Sequence, residues 1–202
     1  MNPLNIVIGF VPLTLFAILV NWLPLGWAAA AGLAAAAVIT AVTAARGGVK
    51  ILSVVQFVIL AVFTVVGFTA GPGAATTFEP YARGAASLAL GAFILATSFS
   101  FPFTVQFARR SVPQQYWQSP QFLGVNRRIS LAWGLAVLAV GAAHLAAAFV
   151  GGSVPVLHIL LDWGIPGYAA YRAYSVTKRA IAQNARPARP GGADQPAVQP
   201  VH

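Results

Sequence analysis

The chain contains no cysteine and only three acidic residues among its 202 residues. Without cysteine it has no disulfide framework, no thiolate nucleophile and no cysteine-ligated metal site. Three histidines without any cysteine make a zinc centre improbable. Charged residues make up 7% of the chain, whereas soluble domains average about 25%. Because this leaves too little polar surface to cover a water-facing domain, the composition predicts an integral membrane protein.

Signatures of enzymes are also missing. The sequence has no glycine-rich phosphate loop of the Walker type, no H-E-x-x-H and no G-x-S-x-G elbow. We therefore expect no catalytic residue, no metal and no cofactor. The net charge of +9 does not indicate nucleic-acid binding, because the basic residues lie between apolar segments, where membrane orientation explains them.

Six apolar segments have about the length that crosses a bilayer, near 20 residues. Segments in lipid must be helical, because an open strand edge has no hydrogen-bond partner there. The sequence thus predicts an all-α bundle of six transmembrane helices within residues 1–177, followed by a disordered cytoplasmic tail at 178–202, which is rich in Pro, Ala and Gly. The predicted spans are 4–23, 26–45, 51–70, 84–107, 129–150 and 154–174.

The connections between these segments alternate in charge. Basic residues follow the second, fourth and sixth spans, whereas the loops at 21–26 and 151–155 carry no charge and 71–83 carries Glu79 and Arg83. The positive-inside rule then places both termini in the cytoplasm. The main cytoplasmic loop carries four arginines in this prediction: Arg109, Arg110, Arg127 and Arg128.

Two further patterns concern packing. Spans two and five are rich in small residues, which let helices approach closely in lipid, so we expect them to be interior helices. "FVPLTLF" at 10–16 is similar to "FPFTVQF" at 101–107, and "LGWAAAAGLAAAA" at 25–37 to "LAWGLAVLAVGAA" at 131–143. Matches in this order suggest a weak 3+3 inverted repeat, as found in many transporters.

The sixth span carries an acidic residue in an apolar stretch. Asp162 follows His158 by one helical turn, and His144 of the preceding span would lie at a similar depth, so these three side chains are predicted to meet. Pro166 has no N–H to donate to the carbonyl of Asp162, four residues back, which frees that carbonyl as well.

Three interpretations of this intramembrane site are open. The first is a proton or cation site in which Asp162 titrates, since a charge at mid-membrane is costly unless it is neutralised, paired or hydrated. The second is an interhelical hydrogen bond from His144 or His158 to Asp162 that only holds the helices together. The third is a helix kink made by Pro166 and its neighbouring glycines, without further function.

A second helix break is predicted in the fourth span. Pro102 frees the carbonyl of Ser98, and two further polar side chains, Thr104 and Gln106, follow within one turn or so. We expect these four residues to form a polar break in the helix.

The region from residue 101 to 149 resembles the bacterial intracellular septation protein A family. In that family a proline segment is followed by a basic loop, a Leu-Pro, a tryptophan and an Asn–Leu-Ala-Trp span. Here the corresponding residues are Pro102, Val112–Pro113, Trp117, Asn126 and Leu131-Ala132-Trp133, and "FVPLTLF" resembles the family's opening segment. The sequence departs from the family at His144, where asparagine is usual, and in "HILLDWGIP".

The resemblance implies a multi-pass protein of the bacterial inner membrane that acts in septation and envelope maintenance without catalysis. Its partners would be the lipid bilayer and other envelope or division membrane proteins, and self-association stays open. The alternative hypothesis, from the polar residues, is a small proton- or cation-coupled transporter that uses Asp162, His158 and His144.

Overall fold

The computed structural model describes residues 4–45, 48–151 and 154–184, and this part of the chain is helical, with no strand. The predicted all-α class is confirmed. The helices are α1 (Leu4–Gly9), α2 (Val11–Leu19), α3 (Leu25–Ala45), α4 (Ile51–Thr69), α5 (Pro72–Ser98), α6 (Val105–Ala108), α7 (Pro120–Val150), α8 (Pro155–Ile159) and α9 (Ile165–Asn184). Short 3-10 turns at Arg109–Ser111 and Gln114–Tyr116 precede α7, and a π-helical turn, Leu160–Gly164, joins α8 to α9.

Three of the described helices are long and apolar enough to cross a membrane, namely α3, α4 and α7. Their mean hydropathies are 1.9, 2.6 and 1.9, respectively. Helices of this length and composition indicate a membrane protein, which agrees with the scarcity of charge.

The first predicted span consists of two helices, α1 and α2, with an irregular turn between them. Pro12 has no N–H for the hydrogen-bond ladder, and the side chain of Gln56, fully buried in α4, bridges the turn. Its Nε2 donates to the carbonyl of Gly9 at 2.6 Å, and its Oε1 accepts from the N–H of Leu13 at 3.2 Å. One amide thus satisfies two backbone groups that would otherwise be unpaired in an apolar environment.

Helix α5 begins at Pro72, well before the predicted start near residue 84. The assignment of 71–83 to a loop was therefore wrong, and Glu79 and Arg83 are helical residues. The helix has 27 residues, or about 40 Å, which exceeds the roughly 30 Å hydrocarbon layer of a bilayer. The predicted span, chosen for its apolar residues, therefore covered only part of α5. The proline at position 80 lies inside the helix.

The predicted boundaries around the fourth loop were also wrong. Helix α5 ends at Ser98 rather than near 107, and α7 begins at Pro120 rather than near 129. Ser119 starts α7 as a cap, accepting a hydrogen bond from the N–H of Phe122 at 3.2 Å. Arg127 and Arg128 therefore lie in α7 and not in a loop.

The last helix also runs further than expected. Residues 178–184 belong to α9, so the prediction of a disordered tail was wrong for them. The rest of that predicted tail, 185–202, lies outside the described residues. The predicted span ended where the sequence stops being apolar. The helix continues through the polar residues that follow, because alanines and Thr177 still pack on α7.

Helices α5 and α7 pack through a regular exchange of glycine and leucine. Each glycine lies against a leucine of the other helix, so that a Cβ added to the glycine would come within 2.6–2.8 Å of that leucine. The four facing pairs are Gly84–Leu145, Leu88–Gly141, Gly91–Leu138 and Leu95–Gly134. Leucine side chains thus fill the space left by missing side chains, which brings the two backbones close together.

The position of α7 in the bundle agrees with the prediction for span five, whereas α3 differs from the prediction for span two. In the most apolar window of α7, 44% of residues are buried, compared with 28% in α3 and 22% in α4. Helix α7 is therefore the most buried of these three helices, and α3 presents much of its alanine-rich surface outward. The six spans, the orientation of the termini and the inverted repeat stay predictions.

Candidate functional site

Asp162 lies in the π-helical turn before α9, and its carboxylate is buried against Arg83 of α5. The Arg83 Nη2 donates to the Asp162 Oδ1 at 2.7 Å, and both side chains are about nine-tenths buried, with exposed fractions of 10% and 7%. A charged side chain is stable in such surroundings when it has an opposite partner, so the pair accounts for the acidic residue in an apolar segment.

Asn21, in the turn that follows α2, also binds the Arg83 guanidinium. Its Nδ2 donates to the carbonyls of Ala17 and Ile18 at the end of α2, at 2.9 and 3.0 Å. These bonds orient the amide so that its Oδ1 accepts from the Arg83 Nη1 at 3.1 Å. Three parts of the chain that are far apart in sequence therefore meet at one arginine.

The two predicted histidines lie beside this ion pair. The Nδ1 of His158 is 3.4 Å from the Asp162 Oδ2, one turn away on the same helix face, as the spacing indicated. His144 of α7 faces the backbone of Asp162 and lies near the charges of both Arg83 and Asp162. The structure thus brings together the three residues that the sequence predicted would meet.

Pro166 lies at the point where the helix changes its hydrogen bonding. In the π-helical turn before it, the N–H of Ile165 donates to the carbonyl of Leu160, five residues back. Such wide turns are common where proline interrupts the regular ladder and often occur at functional sites. The turn holds Asp162 inward, where it is 8% exposed, while its neighbour Trp163 is 57% exposed.

A cavity of about 240 Å³ lies next to the ion pair. Its polar lining is gathered at one end and comprises Asn21, Arg83, Ser87, His144 and Asp162, and the remaining lining is almost entirely apolar. That apolar lining consists of Phe10, Leu13, Ala17, Ile18, Trp133, Ala136, Val137, Val140, Trp163, Pro166 and Ala170, with Thr14 between the two parts.

The cavity is elongated along α7. Its lining residues on that helix run from Trp133 to His144 with helical spacing, which corresponds to about 16 Å of helix axis. The stacked rings of Phe10 and Trp133, with centroids 5.0 Å apart, lie at the apolar end. The cavity is thus amphipathic, with an ion pair at one end and aromatic rings at the other.

Two polar groups at the cavity retain capacity for another hydrogen bond. The Nδ1 of His144 is buried and has no partner among the described residues. Within the same described part of the chain, the guanidinium of Arg83 has five N–H bonds and two acceptors, the side chains of Asn21 and Asp162. Chemically the site offers additional donors and one imidazole nitrogen to a bound molecule. Among the described residues, no three His, Cys, Asp or Glu side chains are placed so that they could hold a metal ion together.

The residues of the second predicted break do not form one polar site. Ser98 ends α5 and donates to the carbonyl of Ile94 at 2.6 Å, while Gln106 accepts from the N–H of Ile51 at 2.8 Å and so caps α4. Thr104 donates to the carbonyl of Asn126 at 2.8 Å and lies 3.0 Å from the hydroxyl of Ser130. Pro102 follows the end of α5, so the break is a helix terminus rather than an interruption.

The predicted basic loop is spread over two elements. Arg109 follows α6 and stacks on Trp117, with its guanidinium carbon 4.7 Å from the ring centroid. Arg127 of α7 lies over the ring of Phe99 at 4.4 Å, and Arg128 is exposed on the same helix. The side chain of Arg110 lies outside the described part. These contacts are typical of arginines at a membrane interface, where the ring and the cation share the boundary.

The sequence analysis missed Asn21 and two site residues of α5, Arg83 and Ser87. For the two residues of α5 a signal was available. The signal that could have found them is their helical spacing with buried residues further along α5: Arg83, Ser87, Leu90, Ile94 and Ser98 recur every three or four positions. Extending the helix across the proline at position 80 would have placed Arg83 on the buried stripe.

No family model, no curated protein and no solved structure matches this chain. The resemblance to septation proteins therefore stays a prediction, and arguments about function depend on the geometry of the site.

Proposed function

We propose that this chain is a small multi-pass transporter of the bacterial cytoplasmic membrane that couples movement of a solute to protons. The recurrence of basic residues in alternate connections supports a topology of six spans with both termini in the cytoplasm. The observation that carries the proposal is that a buried ion pair, Arg83–Asp162, lines a cavity instead of being sealed between helices.

The position of Asp162 is suited to coupling. The groups that face it are Arg83 on α5, His144 on α7, and His158 one turn earlier on α8, while Asn21, in the turn after α2, reaches it only through Arg83. A proton on the Asp162 carboxylate removes its attraction for Arg83, so protonation changes what holds α5 against the π-helical turn. A site with two arrangements of this kind can connect proton binding to opening of the cavity.

The experiment uses proteoliposomes that contain a pH-sensitive dye. A monocarboxylate, a monoamine and an amino acid are added in turn from outside, and proton movement is followed in vesicles with the wild-type chain and with Asp162→Asn. We expect at least one solute to move protons with the wild type and none with Asp162→Asn. Asp162→Glu, which keeps the carboxylate, should retain part of the flux. If the wild type moves protons with none of the three solutes, or the Asn variant equals the wild type, the proposal is wrong.

The contact function implied by the resemblance is a separate prediction. Under it, changing Arg109, Arg110, Arg127 and Arg128 to Gln should reduce co-purification of envelope or division membrane proteins, while Asp162→Asn leaves it unchanged. Loss of the same partners with Asp162→Asn alone would contradict a role for these arginines in binding the partners.

A further inference from the structure

We infer that the cavity binds a small carboxylic acid with an apolar body, and that the acid enters together with one proton. The polar end of the cavity would hold the carboxyl group between Arg83 and His144, and the apolar end would hold a ring or a short alkyl chain. The inference rests on the proposed function because it names the solute of the same cavity.

The shape and lining of the cavity define the apolar body. The volume, about 240 Å³, exceeds the roughly 150 Å³ of an engineered apolar cavity that binds benzene. About 16 Å separates the level of Trp133 from that of His144 along α7. Since the lining is apolar except at one end, it suits a molecule with one polar group rather than a sugar or an amino acid, which carry several.

The hydrogen-bonding capacity at the polar end defines the head group. Arg83 has N–H donors beyond those used by Asn21 and Asp162 among the described residues, and a carboxyl oxygen is the acceptor that a guanidinium fits best. The His144 Nδ1 is the complementary group, because it is buried, lines the cavity and has no partner in the described part of the chain. An amine would bring a positive charge next to Arg83, which disfavours it.

The charges at the polar end explain why the acid binds together with a proton. Arg83 and Asp162 already neutralise each other, so a bound carboxylate would leave one uncompensated negative charge beside Asp162 in apolar surroundings. A carboxyl group that arrives with its proton adds no net charge. The proton then lies between one carboxyl oxygen and the His144 Nδ1, and the other oxygen accepts from Arg83. No covalent bond forms or breaks beyond this proton transfer.

Binding is measured on the full chain in nanodiscs, where no transport takes place, so a failure of transport and a failure of binding are distinguishable. The probes share one apolar body: 4-phenylbutyrate, 4-phenylbutanol, 4-phenylbutyramide and 4-phenylbutylamine. The chain has five tryptophans, and 5-fluorotryptophan makes each visible by ¹⁹F NMR. We expect 4-phenylbutyrate to shift Trp133 and Trp163, which line the cavity, and to leave Trp22, Trp27 and Trp117 unchanged.

Calorimetry in buffers of different ionisation enthalpy counts the protons. We expect one proton taken up for each 4-phenylbutyrate bound near neutral pH, with an affinity that falls about tenfold for each pH unit above neutrality, because the acid must bind protonated. Because the imidazole of His158 lies beside Asp162, His158→Gln is the control and should leave the proton count unchanged. Binding of the acid without proton uptake, or equally tight binding of the amide, alcohol or amine, would overturn the inference.

Matched variants locate the bound acid. Ala136→Leu fills the cavity from α7, whereas Ala139→Leu places the same side chain on the exposed face of the same helix. We expect the first to abolish binding and the second to leave it unchanged. His144→Phe should weaken the acid by at least about tenfold, because the proton of the bound acid loses its hydrogen-bond acceptor, the Nδ1.

Two further comparisons cover a variant that does not fold and the source of the acid. If His144→Phe fails to fold, Arg83→Gln combined with Asp162→Asn removes both charges together and should show the same loss of affinity. Palmitate and octanoate compare a lipid-derived acid with a small solute, and tighter binding of octanoate is expected for a cavity of this size. Equal effects of Ala136→Leu and Ala139→Leu would place the acid outside the cavity and contradict the inference.

Discussion

Arg83 is the residue on which the polar site depends. It connects Asn21 at the end of α2 with Asp162 in the π-helical turn, while its own helix packs on α7. An arginine suits this position better than a lysine, because its planar group can donate in several directions at once. One side chain thereby determines how three helices meet around the cavity.

The ion pair gives a prediction at the residue scale. Asp162→Asn should lower the free energy of unfolding by about 3–5 kcal/mol, because it leaves Arg83 buried and charged without its partner. The double variant, Arg83→Gln with Asp162→Asn, should recover most of that loss. Both values are measured by denaturant-induced unfolding in mixed micelles. A double variant that is as unstable as the single one would show that Asp162 contributes through something other than its charge.

At the residue scale the sequence predicted His144, His158 and Asp162 and missed Asn21, Arg83 and Ser87. The helical spacing of His158 and Asp162, and the similar depth of His144, follow from local geometry, so these residues could be placed near each other in advance. The partner of Asp162 could not be found in the same way. It lies 79 positions away in the chain, in a stretch whose polar residues and proline indicated a loop.

At the scale of elements, the α5–α7 pair is the best-defined contact of the fold. The glycine and leucine positions alternate on both helices, so each leucine occupies the place of a missing side chain. Without water exclusion to hold helices together in lipid, close approach of this kind supplies van der Waals contact instead. The contact between α5 and α7 also fixes the position of Arg83 relative to His144 along the helix axes, because Gly84 is adjacent to Arg83 and Leu145 is adjacent to His144.

Substitutions at two glycines of α7 test the contact between α5 and α7. A Cβ on Gly141 would lie 2.8 Å from the backbone nitrogen of Leu88, so Gly141→Ala should separate the helices and lower the free energy of unfolding by about 1–3 kcal/mol. Gly124 has open space at its Cβ, so Gly124→Ala should be neutral or stabilising by up to about 1 kcal/mol. Thermal unfolding of both variants makes the comparison. Equal losses would mean that glycine matters here for helix flexibility and not for packing.

At the scale of the whole molecule, the charge distribution separates the two ends of the bundle. The arginines near α6, those at the start of α7 and the basic residues of α9 belong to connections that the positive-inside rule assigns to one side. The helical segment before Arg83 belongs to the opposite end. The rule therefore predicts that the cavity's polar end, at Asn21 and Asp162, lies toward the non-cytoplasmic face.

Because the chain has no cysteine, single cysteines can report its orientation. Gln114→Cys and Arg179→Cys should react with a membrane-impermeant maleimide only after cells are opened, and Thr77→Cys should react in intact cells. All three positions are exposed on the protein surface. Gel-shift labelling measures each reaction. Labelling of Gln114→Cys and Arg179→Cys on opposite sides would overturn the six-span topology and the orientation assigned to the cavity.

The sequence by itself determined the kind of molecule. Its few charges and long apolar segments permit only a membrane environment and helices, because lipid provides no partner for unpaired backbone groups. Local spacing also fixed which face of the last helix carries His158 and Asp162. Only the tertiary structure decided the partner of Asp162, the cavity beside it and the true ends of α5, α7 and α9. Those features depend on packing between distant segments, and packing can extend a helix or pair a charge where neither apolarity nor local spacing gives a signal.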